Sequence, residues 1–172
     1  MLDITTIIIV LAMAVAFCIP FFLSHQKKKK HEQSLLNIFH TKAADHQLEI
    51  GAYDIWRRSY AIGIDSRKSQ LLYIKFSPEI QETIIDLKAT KRVSIHKEEK
   101  EIGTGKDKEK ITEKLALSFT STGSLNSKDL EFYDSEETMG LMGEPVLIQK
   151  WHNLVKDSLG QDRHKPQVIE TL

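Results

Sequence analysis

One cysteine, Cys18, is all that the 172 residues carry. An intrachain disulfide and any zinc site built on cysteines are therefore excluded. Net charge is missing as well, because 24 Lys and Arg balance 24 Asp and Glu. Proteins that bind nucleic acid carry a basic excess on the face that meets the phosphates, so no nucleic-acid partner is expected. Catalytic motifs are also lacking. No Gly-x-Ser-x-Gly elbow occurs. Gly103-Thr104-Gly105-Lys106 imitates a phosphate loop, but Lys100 stands where its first glycine belongs, and Asp107 where Ser or Thr should follow the lysine. The 7 histidines are scattered, and His40, Asp45 and His46 have the wrong separation for one helix face, which argues against a metal site. Glu98, Glu99 and Glu101 read as a solvated stretch, not as paired catalytic carboxylates. A chain without catalytic residues, cofactor or metal is expected. A small hydrolase assembled from distant residues is the less favoured alternative.

Charge is absent, too, from Ile4 to Leu23. That run of about 20 residues, at a helical rise of roughly 1.5 Å, matches the roughly 30 Å hydrocarbon layer of a bilayer. Lys27, Lys28, Lys29 and Lys30 follow at once. Basic clusters beside a span stay on the cytoplasmic side. The pattern predicts a single-pass anchor over residues 1–23, N-terminus out and C-terminus in, at the plasma (inner) membrane with the remainder cytoplasmic. A cleaved signal is the competing reading, but Met1, Leu2 and Asp3 offer no basic residue ahead of the apolar core. Val15-Ala16-Phe17-Cys18 imitates an acylation site with Phe17 where a small residue belongs, so Cys18 reads as an apolar anchor residue.

The remainder has room for one compact domain. Residues 24–47 form a basic juxtamembrane segment and a short helix, with Leu35, Leu36, Ile38, Phe39 and Ala43 at helical spacing. This helix is expected to be a stalk, or to lie on the bilayer. From Leu48 the period turns to alternation: Tyr60, Ile62 and Ile64; the polar turn Asp65 to Ser69; then Leu72, Ile74 and Phe76. Ser77-Pro78 breaks that strand, and Ile84, Ile85 and Leu87 precede Val93 and Ile95. Leu115, Leu117 and Phe119, then Leu130, Phe132 and Tyr133, complete the series. Short strands separated by polar turns predict an antiparallel meander. The stretch Lys97 to Lys110 is almost wholly charged and predicts a solvated, mobile hairpin loop. A last amphipathic helix is expected from Pro145 to Gly160, its apolar face formed by Leu147, Ile148, Trp151, Leu154, Val155 and Leu159. Residues 161–172 are expected to form a flexible tail.

The expected fold class is α+β: a transmembrane helix, a short helix, then a six- or seven-stranded antiparallel meander or partly closed barrel capped by a C-terminal amphipathic helix. Over residues 48–160 this order of elements resembles the pleckstrin-homology-like barrel, in which the last helix plugs one end of a curled sheet. The resemblance implies a binding or scaffolding module. Phosphoinositide-binding members carry a basic motif across the first hairpin, and Arg57, Arg58, Arg67 and Lys68 lack its spacing. Function is therefore expected to be that of a non-enzymatic, membrane-tethered adaptor holding a protein partner. The alternative is a module responsive to anionic lipid, touching headgroups through Lys27, Lys28, Lys29, Lys30, Arg57, Arg58, Arg67 and Lys68.

Overall fold

A computed structural model describes residue 13 and residues 32–103, 108–123 and 127–163. Helix α1 is described over residues 32–45. Seven strands follow: β1 (Ala52–Trp56), β2 (Tyr60–Asp65), β3 (Gln70–Lys75), β4 (Gln81–Asp86), β5 (Thr90–Ile102), β6 (Glu109–Ser121) and β7 (Ser127–Asp134), and then helix α2 (Glu144–Arg163). The strands form two antiparallel sheets in chain order, β1-β2-β3-β4 and β5-β6-β7. The α+β class and the meander are thus present.

Strand alternation distributes the core. Tyr60, Ile62 and Ile64 of β2, with Leu71 and Tyr73 of β3, face a core shared with Leu117 and Phe119 of β6 and Phe132 of β7. Ile148, Trp151, Val155 and Leu159 of α2 enter the same core at three- and four-residue spacings. Trp151 is fully buried, and its Nε1–H donates to Asp54 Oδ2 at 2.8 Å, tying α2 to β1. The other face of the first sheet is not solvated. Ala61, Leu72 and Ile74 pack there with Phe39 and Ala43 of α1. In place of a stalk, α1 is therefore a packed layer of the fold. It comes close at Gly63, where a Cβ would stand 2.6 Å from Phe39 Cζ and also 2.8 Å from Ile50 Cγ2. Only a residue without a side chain lets that ring reach the strand backbone.

Further expectations are corrected. The first is the membrane span. Among the described residues no helix is long and apolar enough to cross a membrane. At 20 residues α2 has the length, but the exposed Lys150, Asn153, Lys156 and Asp157 place charge and amide on the face opposite its apolar one, where a span needs apolar residues all round. The single-pass anchor, and the membrane as a partner, are withdrawn on that finding. The run Ile4 to Leu23, apart from Met13, and Lys27 to Lys30 lie outside the described residues.

The second is the barrel, since neither sheet closes. Aromatic rings stand between the sheets where a closing ladder would run. Trp56 stacks on Tyr60 and on Phe132, with centroids 5.3 and 4.7 Å away. Its Nε1–H donates to the Phe132 carbonyl at 2.9 Å, and the Tyr73 hydroxyl donates to the Glu131 carbonyl at 2.7 Å. Side chains thus meet carbonyls of β7. A ladder needs strand backbones about 4.8 Å apart, which leaves no room for a ring layer.

The third is the charged stretch. Instead of a loop, β5 and β6 run as a paired ribbon out to Ile102↔Glu109. Opposite charges support it along and across the strands, including Lys100 with Glu113 at 2.9 Å and Lys108 with Glu101 at 3.2 Å. Thr104 to Asp107, which hold most of the phosphate-loop imitation, lie outside the described residues. Helix α2 also continues through Gly160 to Arg163, so Gly160 does not end it.

Candidate functional site

The site begins at the turn between β1 and β2. Trp56↔Tyr60 is the last pair of that hairpin, and Arg57 and Arg58 in the turn both take positive φ, 52° and 54°. Side-chain-bearing residues seldom adopt this region, so tertiary contacts must hold it. Arg57 supplies them by reaching to the start of α2. Its Nε pairs with Glu144, and its Nη2–H donates to the Gly140 carbonyl at 2.5 Å. Glu144 is buried, and its Oε2 accepts the Met142 N–H at 2.7 Å. Burial alone would raise the Glu144 pKa, but Arg57 and the Met142 amide outweigh it and hold the carboxyl below its ordinary value. The hydrogen bond to Glu144 in turn raises Arg57. A carboxylate in the first turn of α2 also meets the positive end of the helix dipole.

This clamp fixes the loop from β7 to α2 with its apolar side chains outward. Met139 is 97% exposed, Met142 82%, Val146 77% and Leu141 38%. Apolar residues scattered singly over a surface are ordinary, but four within eight positions, three on the anchored loop and Val146 in the first turn of α2, form a patch. Thioether side chains are adaptable and recur where a surface must fit a partner. Beside the patch lies a groove of about 410 Å³, between Met139 and Leu141 on one side and Lys110, Ile111 and Thr112 of β6 on the other, with Tyr133 also lining it.

A polar cluster stands at the junction of the sheets. The Tyr60 hydroxyl donates to Glu131 Oε1 at 2.6 Å, and Lys75 Nζ reaches Glu131 at 2.9 Å and Glu137 at 2.7 Å. Burial first, and then Glu131, push both the Tyr60 and Tyr73 phenols far above their ordinary value of 10. Burial would lower Lys75, but hydrogen bonds to Glu131 and Glu137 outweigh it and raise the amine. All three groups move away from neutrality, so the phenols stay neutral donors and the amine stays charged. That suits a tie between sheets better than proton transfer. Among the described residues no group of three or more His, Cys, Asp and Glu could hold a metal.

Among the described residues, the basic residues expected to meet lipid, Arg57, Arg58, Arg67 and Lys68, lie on two separate turns. Arg57 is committed to Glu144, whereas Arg58 is exposed on a cleft of about 910 Å³ between α1 and β1 that Leu36, Tyr53 and Trp56 also line. Arg67 pairs with Glu49 at 2.6 Å, and Lys68 is exposed beside it in the next turn. The two turns sit at opposite ends of the six-residue β2, about 20 Å apart at roughly 3.3 Å per residue. Lys27, Lys28, Lys29 and Lys30 lie outside the described residues.

Sequence reasoning passed over Met139, Leu141, Met142 and Val146. The available signal was Met-Gly-Leu-Met-Gly, an apolar stretch in a turn-rich connection where polar residues are the norm. No family model, no curated protein and no solved structure matches the chain.

Proposed function

We propose that this protein is a non-enzymatic interaction module that binds a protein partner through the apolar loop between β7 and α2. The single observation that carries this reading is the exposure of Met139, Leu141 and Met142 on a loop anchored by Arg57 and Glu144, with Val146 beside them in the first turn of α2. Exposing apolar area costs solubility, and a fold that invests a buried ion pair in presenting such a patch has a use for it. Antiparallel strands in chain order followed by a C-terminal helix form the element order on which the resemblance to pleckstrin-homology-like domains rests, and that resemblance also points to a binding module.

The test is affinity purification of the full chain beside Met139→Ser/Met142→Ser. Both side chains are exposed, so the double variant keeps its fold within about 0.5 kcal/mol. A stoichiometric partner held by the original chain and lost by the variant is the expected result. Identical partner sets for the two proteins would sink the reading.

A further inference from the structure

Strand β7 covers β6 only between Thr120 and Lys114, where Asp134 is the last paired residue. One further bond, from Ser135 N–H to the Glu113 carbonyl at 2.8 Å, ends that contact. On its other side β6 stays paired with β5 out to Glu109. Among the described residues, positions 109–112 are therefore bonded on one side only, Glu113 meets the β7 side through its carbonyl alone, and the stretch forms an open edge in line with β7. The chain after Ser135 turns aside, with the Thr138 N–H and hydroxyl both donating to the Asp134 carbonyl at 3.0 and 2.9 Å. Met139 and Leu141 then line the groove that contains Lys110, Ile111 and Thr112 of this edge. Charge on an edge commonly serves only to repel other strands. Here the edge borders an apolar groove, which a merely guarded edge has no reason to do.

The charges single out the occupant. Glu113 is paired with Lys100 at 2.9 Å and Lys114 with Asp134 at 3.1 Å. The Lys110 side chain makes no hydrogen bond or ion pair among the described residues, and Glu99, which feels its charge, is itself paired with Lys97. A second copy pairing with this edge about Ile111 would set Glu109 against Glu113, two like charges directly opposed. We propose that the groove takes an extended acidic-apolar peptide from a partner protein. The peptide adds to β6 as a continuation of β7, antiparallel to β6, with an apolar side chain on Met139 and Leu141 and a carboxylate on Lys110. Main-chain bonds supply the affinity and the side-chain contacts the choice of sequence. The inference names the partner segment for the apolar surface above and rests on that reading.

The probe is a peptide selected from a random ten-residue phage library against the full chain, then synthesised. Selected peptides are expected to combine apolar residues with Asp or Glu, and to protect amides at residues 109–113 from hydrogen exchange. N-methylation of one alternate set of peptide amides should weaken binding at least about tenfold, because a strand without its N–H donors cannot join a ladder. Lys110→Glu should weaken it about two- to fivefold. No selected peptide, or one that tolerates N-methylation of either alternate set, overturns the strand addition. A tolerant peptide that Met139→Ser/Met142→Ser still abolishes leaves the apolar surface standing, whereas one indifferent to both changes overturns the surface as well. Concentration-dependent dimers with residues 109–113 protected would place a second copy in the groove and also overturn the proposal.

Discussion

At the residue scale, a few contacts between distant positions organise the molecule. Arg57 and Glu144 are 87 positions apart, yet their pairing holds a turn with two positive φ values and orients the loop that carries the methionines. Asp54 accepts from Trp151 and Lys150 together and ties α2 to β1. Gly63 is decided by contact and not by backbone angle, since the Phe39 ring occupies the place of its missing side chain. Phe39 is fully buried, so it has nowhere to retreat. Gly63→Ala should therefore destabilise the fold by about 1–3 kcal/mol in urea denaturation. Faster amide exchange in α1 should accompany it, because the helix loses its seat on the sheet. Unchanged stability would mean that α1 is not packed where Phe39 places it.

At the element scale, strands and helices follow their periods where burial gives them reason to, and depart where tertiary contact intervenes. Leu115, Leu117 and Phe119 alternate with less buried neighbours and form β6 as the alternation implies. The continuation of β5 through Lys97 to Ile102 carries no such signal, because its residues are exposed on both faces. Pairing with β6 and cross-strand charge keep it extended instead. Helix α2 shows a related override at Gly160. The residue is exposed inside the helix, has open space where a Cβ would stand, and does not take a positive φ. Gly160→Ala should stabilise the protein by about 0.5–1 kcal/mol, read as a higher melting temperature, since glycine is the costlier residue in a helix interior. A lower melting temperature would indicate that α2 stops short of Gly160.

At the scale of the whole molecule, acid sensitivity follows from three buried carboxylates. Asp65 accepts the N–H groups of Glu49, Arg67 and Lys68 at 2.7, 2.9 and 3.0 Å, and Asp134 accepts Glu136 N–H at 2.8 Å beside Lys114. Burial pushes Asp65, Asp134 and Glu144 upward, but these hydrogen bonds and cations outweigh it and hold all three below their ordinary values of 3.8 and 4.5. A carboxyl with a lower pKa folded than unfolded adds stability above its ordinary value, and that stability is lost as the pH falls towards the folded value. Urea unfolding should therefore change little between about pH 7 and 5 and weaken clearly by about pH 3. Stability that held constant to pH 3 would show that these carboxylates are not selectively stabilised in the folded state.

Local physics explains what could be read from the residues alone. Side-chain period and turn chemistry are short-range, so the inward faces of β2 and β6, the polar turn at Asp65 to Ser69 and the apolar face of α2 were all legible, whereas the alternation Leu72, Ile74 and Phe76 picked out the face of β3 that packs on α1 and not Leu71 and Tyr73, which share the core with β2. So was the exclusion of disulfides, because one cysteine has no partner. Other features depend on what packs against what. Ala61, Leu72 and Ile74 show that the first sheet is buried on both faces only once α1 is seated on it. Trp56 keeps β1 and β7 from joining only because the fold brings Phe132 beneath it. The methionine loop became a candidate surface through Arg57 and Glu144, whose pairing spans half the chain and leaves no periodic trace in it. Periodicity reports the neighbours a residue has along the chain, whereas a surface is made by the neighbours it gains in space.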